Sequence, residues 1–145
     1  MNTESDRAAI EAVLIRYVNA NDADDWAGMT ACFTESARWG DLPPQGRAGL
    51  LERFSTMRTR AAEMMPIDDV RSAQHAVSNV EITVDGDTAT SYCLATAYLL
   101  GPRGDREVLL VRGITYRDYL VRTDEGWLID HRQHQLNWMF EAAPL

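Results

Sequence analysis

The spacing of apolar residues changes near the middle of the chain. From about residue 5 to 65 it is helical. Ile10, Val13, Leu14, Tyr17 and Val18 repeat at i, i+3, i+4, i+7 and i+8, which predicts one buried helix face. Ser5 or Thr3 offers a cap for that helix. Asn21-Asp22-Ala23-Asp24-Asp25 interrupts the pattern and supplies caps for a short second helix through Trp26, Met29 and Phe33. Ala37-Arg38-Trp39-Gly40 reads as a short extended piece, and Leu42-Pro43-Pro44-Gln45-Gly46 as a loop. Leu50, Phe54, Met57, Ala61 and Met64 predict a third helix, stopped by Pro66.

Beyond about residue 70 the pattern is that of strands. Val77 to Val84, Thr88 to Leu100, Val108 to Val121 and Trp127 to Phe140 are rich in β-branched and aromatic residues. Between them lie turn sequences at Asp85-Gly86-Asp87, Gly101-Pro102-Arg103-Gly104-Asp105 and Thr123-Asp124-Glu125-Gly126. Helices first and an antiparallel meander afterwards define an α+β fold rather than an alternating βαβ one. No repeat or linker divides the 145 residues, so 1–145 is expected to be a single domain. Val108-Leu109-Leu110-Val111 and Tyr116 to Val121 carry apolar residues on both strand faces. One face is expected on the core and the other on a neighbouring copy, in a homodimer or homotrimer.

Charge narrows the partners. Fourteen Lys and Arg against 22 Asp and Glu give a formal net charge of −8. Nucleic acid and anionic membrane surfaces, which bind clustered cations, are not the expected partners. The beginning of the chain lacks the basic and apolar regions of a signal peptide, and Tyr92 to Leu100 is too short to span a bilayer. With Cys32 and Cys93 read as a reduced, buried pair, a cytoplasmic location is expected.

No GxGxxG, GxxxxGK[ST], GxSxG or HExxH sequence is present, so no cofactor is expected. His131 and His134 lie on a strand at a spacing that turns them to opposite faces, which argues against a metal pair. Acid–base chemistry by side chains, or no catalysis, is what remains. His75, at the start of a strand, is the candidate general base, and the acids at 22, 24 and 25 are the pool for its partner. The same residues also fit a strand-end histidine bonded to backbone and an aspartate run that only caps a helix.

A resemblance gives these residues a setting. Tyr17 and Asp22 at the end of the first helix, Asp25-Trp26, Phe33-Thr34-Glu35-Ser36-Ala37-Arg38-Trp39 and Gly126-Trp127-Leu128-Ile129-Asp130-His131-Arg132 together resemble the SnoaL-like branch of the nuclear-transport-factor-2-like superfamily. The chain looks most similar to the scytalone dehydratase and hexachlorocyclohexane dehydrochlorinase families. The resemblance implies a cone-shaped barrel, with the N-terminal helices packed in a strongly curved antiparallel sheet around a deep apolar pocket. It implies a His–Asp dyad of His75 and Asp22, with Arg132 matching the dehydrochlorinase arginine. Tyr17 stands where that family has a lysine, a departure that disfavours loss of halide and suits a substrate with an oxygen function. His134 is a further residue that could reach the site.

The implied activity is that of a cofactor-independent lyase or isomerase, dehydratase-like, acting on a small cyclic or aromatic, largely apolar molecule. Tyr17, Arg132, Trp39, Tyr92 and Trp138 are the expected substrate-binding residues, with Met139 a further wall candidate. Pocket shape is expected to depend on the Pro43-Pro44 loop and on Glu141 to Leu145. Two other readings fit the same fold: a non-catalytic small-molecule-binding protein, and a structural small subunit of an aromatic-ring dioxygenase.

Overall fold

A computed structural model of the chain describes residues 3–142; the last three residues of the expected pocket-shaping C-terminal segment lie outside this range. The chain begins with helix α1, Thr3–Asp22, then the short helix α2, Trp26–Thr30. Strand β1, Phe33–Trp39, precedes helices α3, Gly46–Ser55, and α4, Met57–Met64. Four long strands complete the fold: β2, Ser72–Asp85; β3, Thr88–Arg103; β4, Arg106–Thr123; and β5, Gly126–Ala142.

The sheet has the order β1-β5-β4-β3-β2. β2 to β5 form the expected antiparallel meander, while β1 joins the edge of β5 in parallel. The sheet is therefore mixed, and it curls around the helices without closing into a barrel. Two further differences from the sequence reading concern the first half. The extended piece at 37–40 is the end of a longer strand, and the single third helix is two helices divided at Thr56. Thr56 places its hydroxyl on the carbonyls of Glu52 and Arg53, capturing the acceptors that a continuing helix would use.

The core lies between α1 and the concave face of the sheet. Ile10, Val13, Leu14, Tyr17 and Val18 are all buried, against Ala89, Cys93, Ala95 and Ala97 of β3 and Ile114, Tyr116 and Leu120 of β4. Small residues on β3 let the helix approach closely. Asp6, in the first turn of α1, accepts bonds from Trp127 Nε1 at 3.1 Å and Arg122 Nη2 at 2.8 Å, fixing the helix start to the far end of β4 and β5.

Bulges decide which residues face inward. The β4–β5 register shifts between Tyr119 and Leu120, leaving Asp130 unpaired, and again between Gly113 and Ile114, leaving Asn137 unpaired. The first shift turns both Trp127 and Arg132 into the concave side, although strict alternation would separate them. The second turns Trp138 outward, flat over Gly113; a Cβ on Gly113 would lie 2.2 Å from the indole, so only glycine fits there.

Candidate active site

Asp22 is the last residue of α1, and the chain leaves the helix through Asp24 in a left-handed conformation, φ 55°. Asp25 then caps α2 by accepting from the Gly28 N–H at 2.9 Å. Arg58 of α4 reaches back to this turn, donating to Asp24 Oδ1 at 2.7 Å and to the Asn21 carbonyl at 3.1 Å. The segment holding Asp22 is thus fixed from two sides.

His75 lies on β2, the free edge of the sheet, where alternate backbone N–H groups have no strand partner. Its N–H donates to Asp22 Oδ2 at 2.8 Å, and its ring Nδ1 lies 2.6 Å from Asp22 Oδ1. One residue therefore fixes both oxygens of the carboxylate. The bond to Nδ1 selects the tautomer with the proton on that nitrogen and leaves Nε2 as the base. Nε2 has no hydrogen-bond partner among the described residues and is not one of the sealed polar atoms. Burial lowers the His75 pKa below the ordinary histidine value; the bond to Asp22 opposes this, and the charges of Arg112 and Arg58 reinforce it. The imidazole is neutral at pH 7 and available as a base.

A cavity of about 400 Å³ opens on the concave face of the sheet, and neither Asp22 nor His75 is among its lining residues. Trp39, Phe54, Met57 and Leu136 give it apolar walls, and Arg53, Arg60, Arg112 and His134 supply its polar groups. In the sheet, His75 pairs with Ala97 and Ala97 with Arg112, so all three share the concave face. Only the methyl of Ala97 stands between the imidazole and the arginine backbone. His134 stacks on Trp39, ring centroids 5.9 Å apart, and meets Tyr116 edge-on at 5.4 Å. Burial, then the charge of Arg112, pushes its pKa down to about 4, so His134 is also neutral near pH 7.

Tyr17 and Arg132 form a different arrangement. Arg132 donates from Nε and Nη2 to the two oxygens of Asp118, both at 2.7 Å, and its guanidinium lies 4.2 Å from the ring centres of Tyr17 and of Tyr116. Both residues are about 1% exposed, beneath the cavity floor rather than in its lining. Tyr17 meets two lining residues, Trp39 and Phe54, with ring centroids 6.3 and 6.1 Å apart. Burial raises the Tyr17 and Tyr116 pKa values, Tyr116 to about 12, so both hydroxyls stay protonated.

The structure thus brings Asp22 and His75 together, places Trp39 in the cavity wall and puts Tyr17 and Arg132 behind it. Tyr92 and Trp138 are corrections. Tyr92 alternates with buried Ser91 and Cys93 and faces outward under Arg117. Trp138 is 46% exposed on the outer face against Phe140. Met139 does not line the cavity either. The sequence reading missed Arg53, Arg60 and Arg112. Their only signal was their position, since Arg53 and Arg60 lie one turn or less from the apolar stripe of the third predicted helix.

Among the described residues, no group of three His, Cys, Asp or Glu is placed to hold a metal ion, and no helix is long and apolar enough to cross a membrane. With the fold and site in view, comparison with known proteins gives the family. The SnoaL-like domain matches residues 3–133, and the chain belongs to that family. An uncharacterized protein of Mycobacterium tuberculosis is 29% identical over 128 residues, covering 88% of this chain and 83% of the relative. A candidate scytalone dehydratase of Novosphingobium aromaticivorans superposes with a TM-score of 0.75 at 17% identity, covering 99% of this chain and 91% of that one. A hexachlorocyclohexane dehydrochlorinase, LinA type 2, gives 0.77 at 16% identity, covering 99% and 93%. At these identities the two structures share the fold, which is the NTF2-like one.

Proposed function

We propose that this protein is a cofactor-independent lyase or isomerase of the dehydratase type, acting on a small ring compound in the cavity on the concave face of the sheet. The observation that carries this reading is the pair of hydrogen bonds from the His75 ring and backbone to the Asp22 carboxylate, which holds an imidazole on the concave face with Nε2 unpaired among the described residues. Nε2 removes a proton from substrate carbon. Asp22 holds the tautomer and stabilises the imidazolium that forms. Negative charge developing on a substrate oxygen is met by Arg112 and His134, and the substrate hydroxyl leaves as water after taking the proton back from the His75 imidazolium. In an isomerisation the same proton returns to another carbon. Tyr17, Arg132 and Asp118 act from below by holding Tyr116, His134 and Trp39 in place.

The test is a screen of cyclic alcohols, enones and halogenated rings for elimination or isomerisation, followed by His75→Ala. Loss of about two to four orders of magnitude in kcat/KM is expected. Equal turnover by the variant removes the mechanism. A ligand that binds without reacting favours the binding-protein reading, and co-purification of a large iron–sulfur partner favours the dioxygenase-subunit reading.

Self-association through the outer face belongs to the same proposal. Tyr98, Leu100, Trp138 and Phe140 form an exposed apolar patch across β3 to β5, with Phe140 68% exposed. A monomer mass by light scattering at micromolar concentration contradicts it.

A further inference from the structure

The chain carries a net charge of −8, yet the cavity has the opposite sign. Arg53, Arg60 and Arg112 all line it, and among the described residues no Asp or Glu does. None of the three has a carboxylate within 4.0 Å among the described residues, whereas seven other arginines do: Arg47, Arg58, Arg71, Arg103, Arg106, Arg122 and Arg132. Arg60 and Arg112 each bury Nε without any hydrogen-bond partner. Among the described residues, the Arg60 guanidinium bonds only to the Arg53 carbonyl, at 2.6 Å. Arg53 lies over the Trp39 ring, 5.6 Å from its centre. A partly buried guanidinium costs desolvation energy that a carboxylate partner normally offsets. Three of them are gathered around an apolar cavity without such a partner among the described residues, an arrangement suited to an anion.

We propose, resting on the reading of this cavity as the substrate site, that its ligand is a ring compound bearing an anionic oxygen group, in the simplest case a carboxylate. Arg112 is the principal partner, because it shares the concave face with His75 across Ala97. Arg53 and Arg60 complete a positive rim. Trp39, Phe54 and Leu136 take the ring. An anion at Arg112 places the neighbouring carbons of the ligand next to the imidazole. Planar, bidentate recognition of a carboxylate is what a guanidinium does best, and a neutral ligand of the same shape would leave these donors unsatisfied.

The experiment is isothermal titration calorimetry of the full chain with 1-naphthoate and with its uncharged isostere 1-naphthamide. Naphthoate is expected to bind at least about ten-fold tighter than the amide, the ratio that one charge-assisted bond supplies. Arg112→Met should weaken naphthoate roughly ten- to a hundred-fold and leave the amide nearly unchanged. Arg53→Met should do the same more weakly, and it serves as the test if Arg112→Met does not fold. Equal affinity for acid and amide, unchanged naphthoate binding in a folded Arg112→Met or Arg53→Met, or no naphthoate binding at millimolar concentration each overturns the proposal. His75→Ala should still bind naphthoate. That variant separates the two readings: retained anion binding together with retained turnover sinks the catalytic mechanism alone, whereas charge-blind binding sinks the anion site alone.

Discussion

Two carboxylate pairs lie on the concave side of this fold, and they differ in burial and in the proton chemistry open to their partners. Asp118 and Arg132 are sealed, with side chains 0% and 1% exposed, joined by two bonds and enclosed by Tyr17 and Tyr116. An arginine in that setting stays charged at any ordinary pH, so the pair cannot exchange a proton. It fixes the geometry of the floor. Asp22 and His75 are less enclosed, 21% and 5% exposed, and an imidazole, unlike a guanidinium, can take up and give back a proton. Burial keeps that imidazole neutral, while the carboxylate stands ready to stabilise its charged form. The sealed pair has structure as its use, and under the proposed mechanism the Asp22–His75 pair has a proton as its use.

The comparison breaks first on activity. His75→Ala should cost about two to four orders of magnitude in kcat/KM, and Asp22→Asn, which keeps the shape but releases the tautomer, a loss of comparable size. Steady-state kinetics on a substrate found by the screen checks both. On stability the order reverses. Arg132→Met leaves the buried Asp118 charge without a cation, with only the Ser91 hydroxyl donating to it at 3.3 Å among the described residues, at a cost of about 3–5 kcal/mol, or a fall in Tm of roughly 10–15 °C for a domain of this size. Calorimetric melting checks it. His75→Ala should cost only about 1 kcal/mol, since Asp22 keeps its bond from the residue-75 backbone and its access to water.

A smaller effect comes from His134. Its pKa is about 4 in the folded protein and roughly 6.5 when unfolded. Between these values the unfolded chain binds the extra proton, so stability is complete above about pH 6.5 and falls as pH drops toward 4. His75, also lowered, acts in the same direction. His134→Gln should remove roughly 2–3 kcal/mol of that acid sensitivity. Denaturant unfolding at pH 7 and at pH 4.5 would show it as a narrowed gap between the two conditions. An unchanged gap would mean that His134 is better solvated than its packing against Trp39 implies.

How far the sequence could be read depended on whether the information was local. Asp22 and His75 were legible because each is marked by its own surroundings, a helix end and a strand start, and the resemblance joined them. The meander was legible from its turns, where Gly86, Gly104 and Gly126 all adopt positive φ. Facing was not legible. A bulge at Asp130 brings Arg132 inside with Trp127, and one at Asn137 sends Trp138 outside; neither position differs visibly from its neighbours. Tyr92 was misplaced for a simpler reason, since in a strand of alternating small and aromatic residues the buried set is the small one, Ser91, Cys93, Ala95 and Ala97. Arg53, Arg60 and Arg112 converge only because the break at Thr56 and the curl of the sheet bring helix and strand together, and no single stretch of sequence encodes that meeting.

The central claim is that His75 is a neutral base whose proton is held on Nδ1 by Asp22. Nitrogen-15 correlation spectroscopy of the histidine rings, followed through a pH titration, measures this without any substrate. The account predicts that His75 is the Nδ1–H tautomer at pH 7 and titrates below the ordinary histidine value. In Asp22→Asn that tautomer preference should disappear. A His75 ring protonated on Nε2 at pH 7, or one with the same tautomer and titration in the presence and absence of the Asp22 carboxylate, would contradict it.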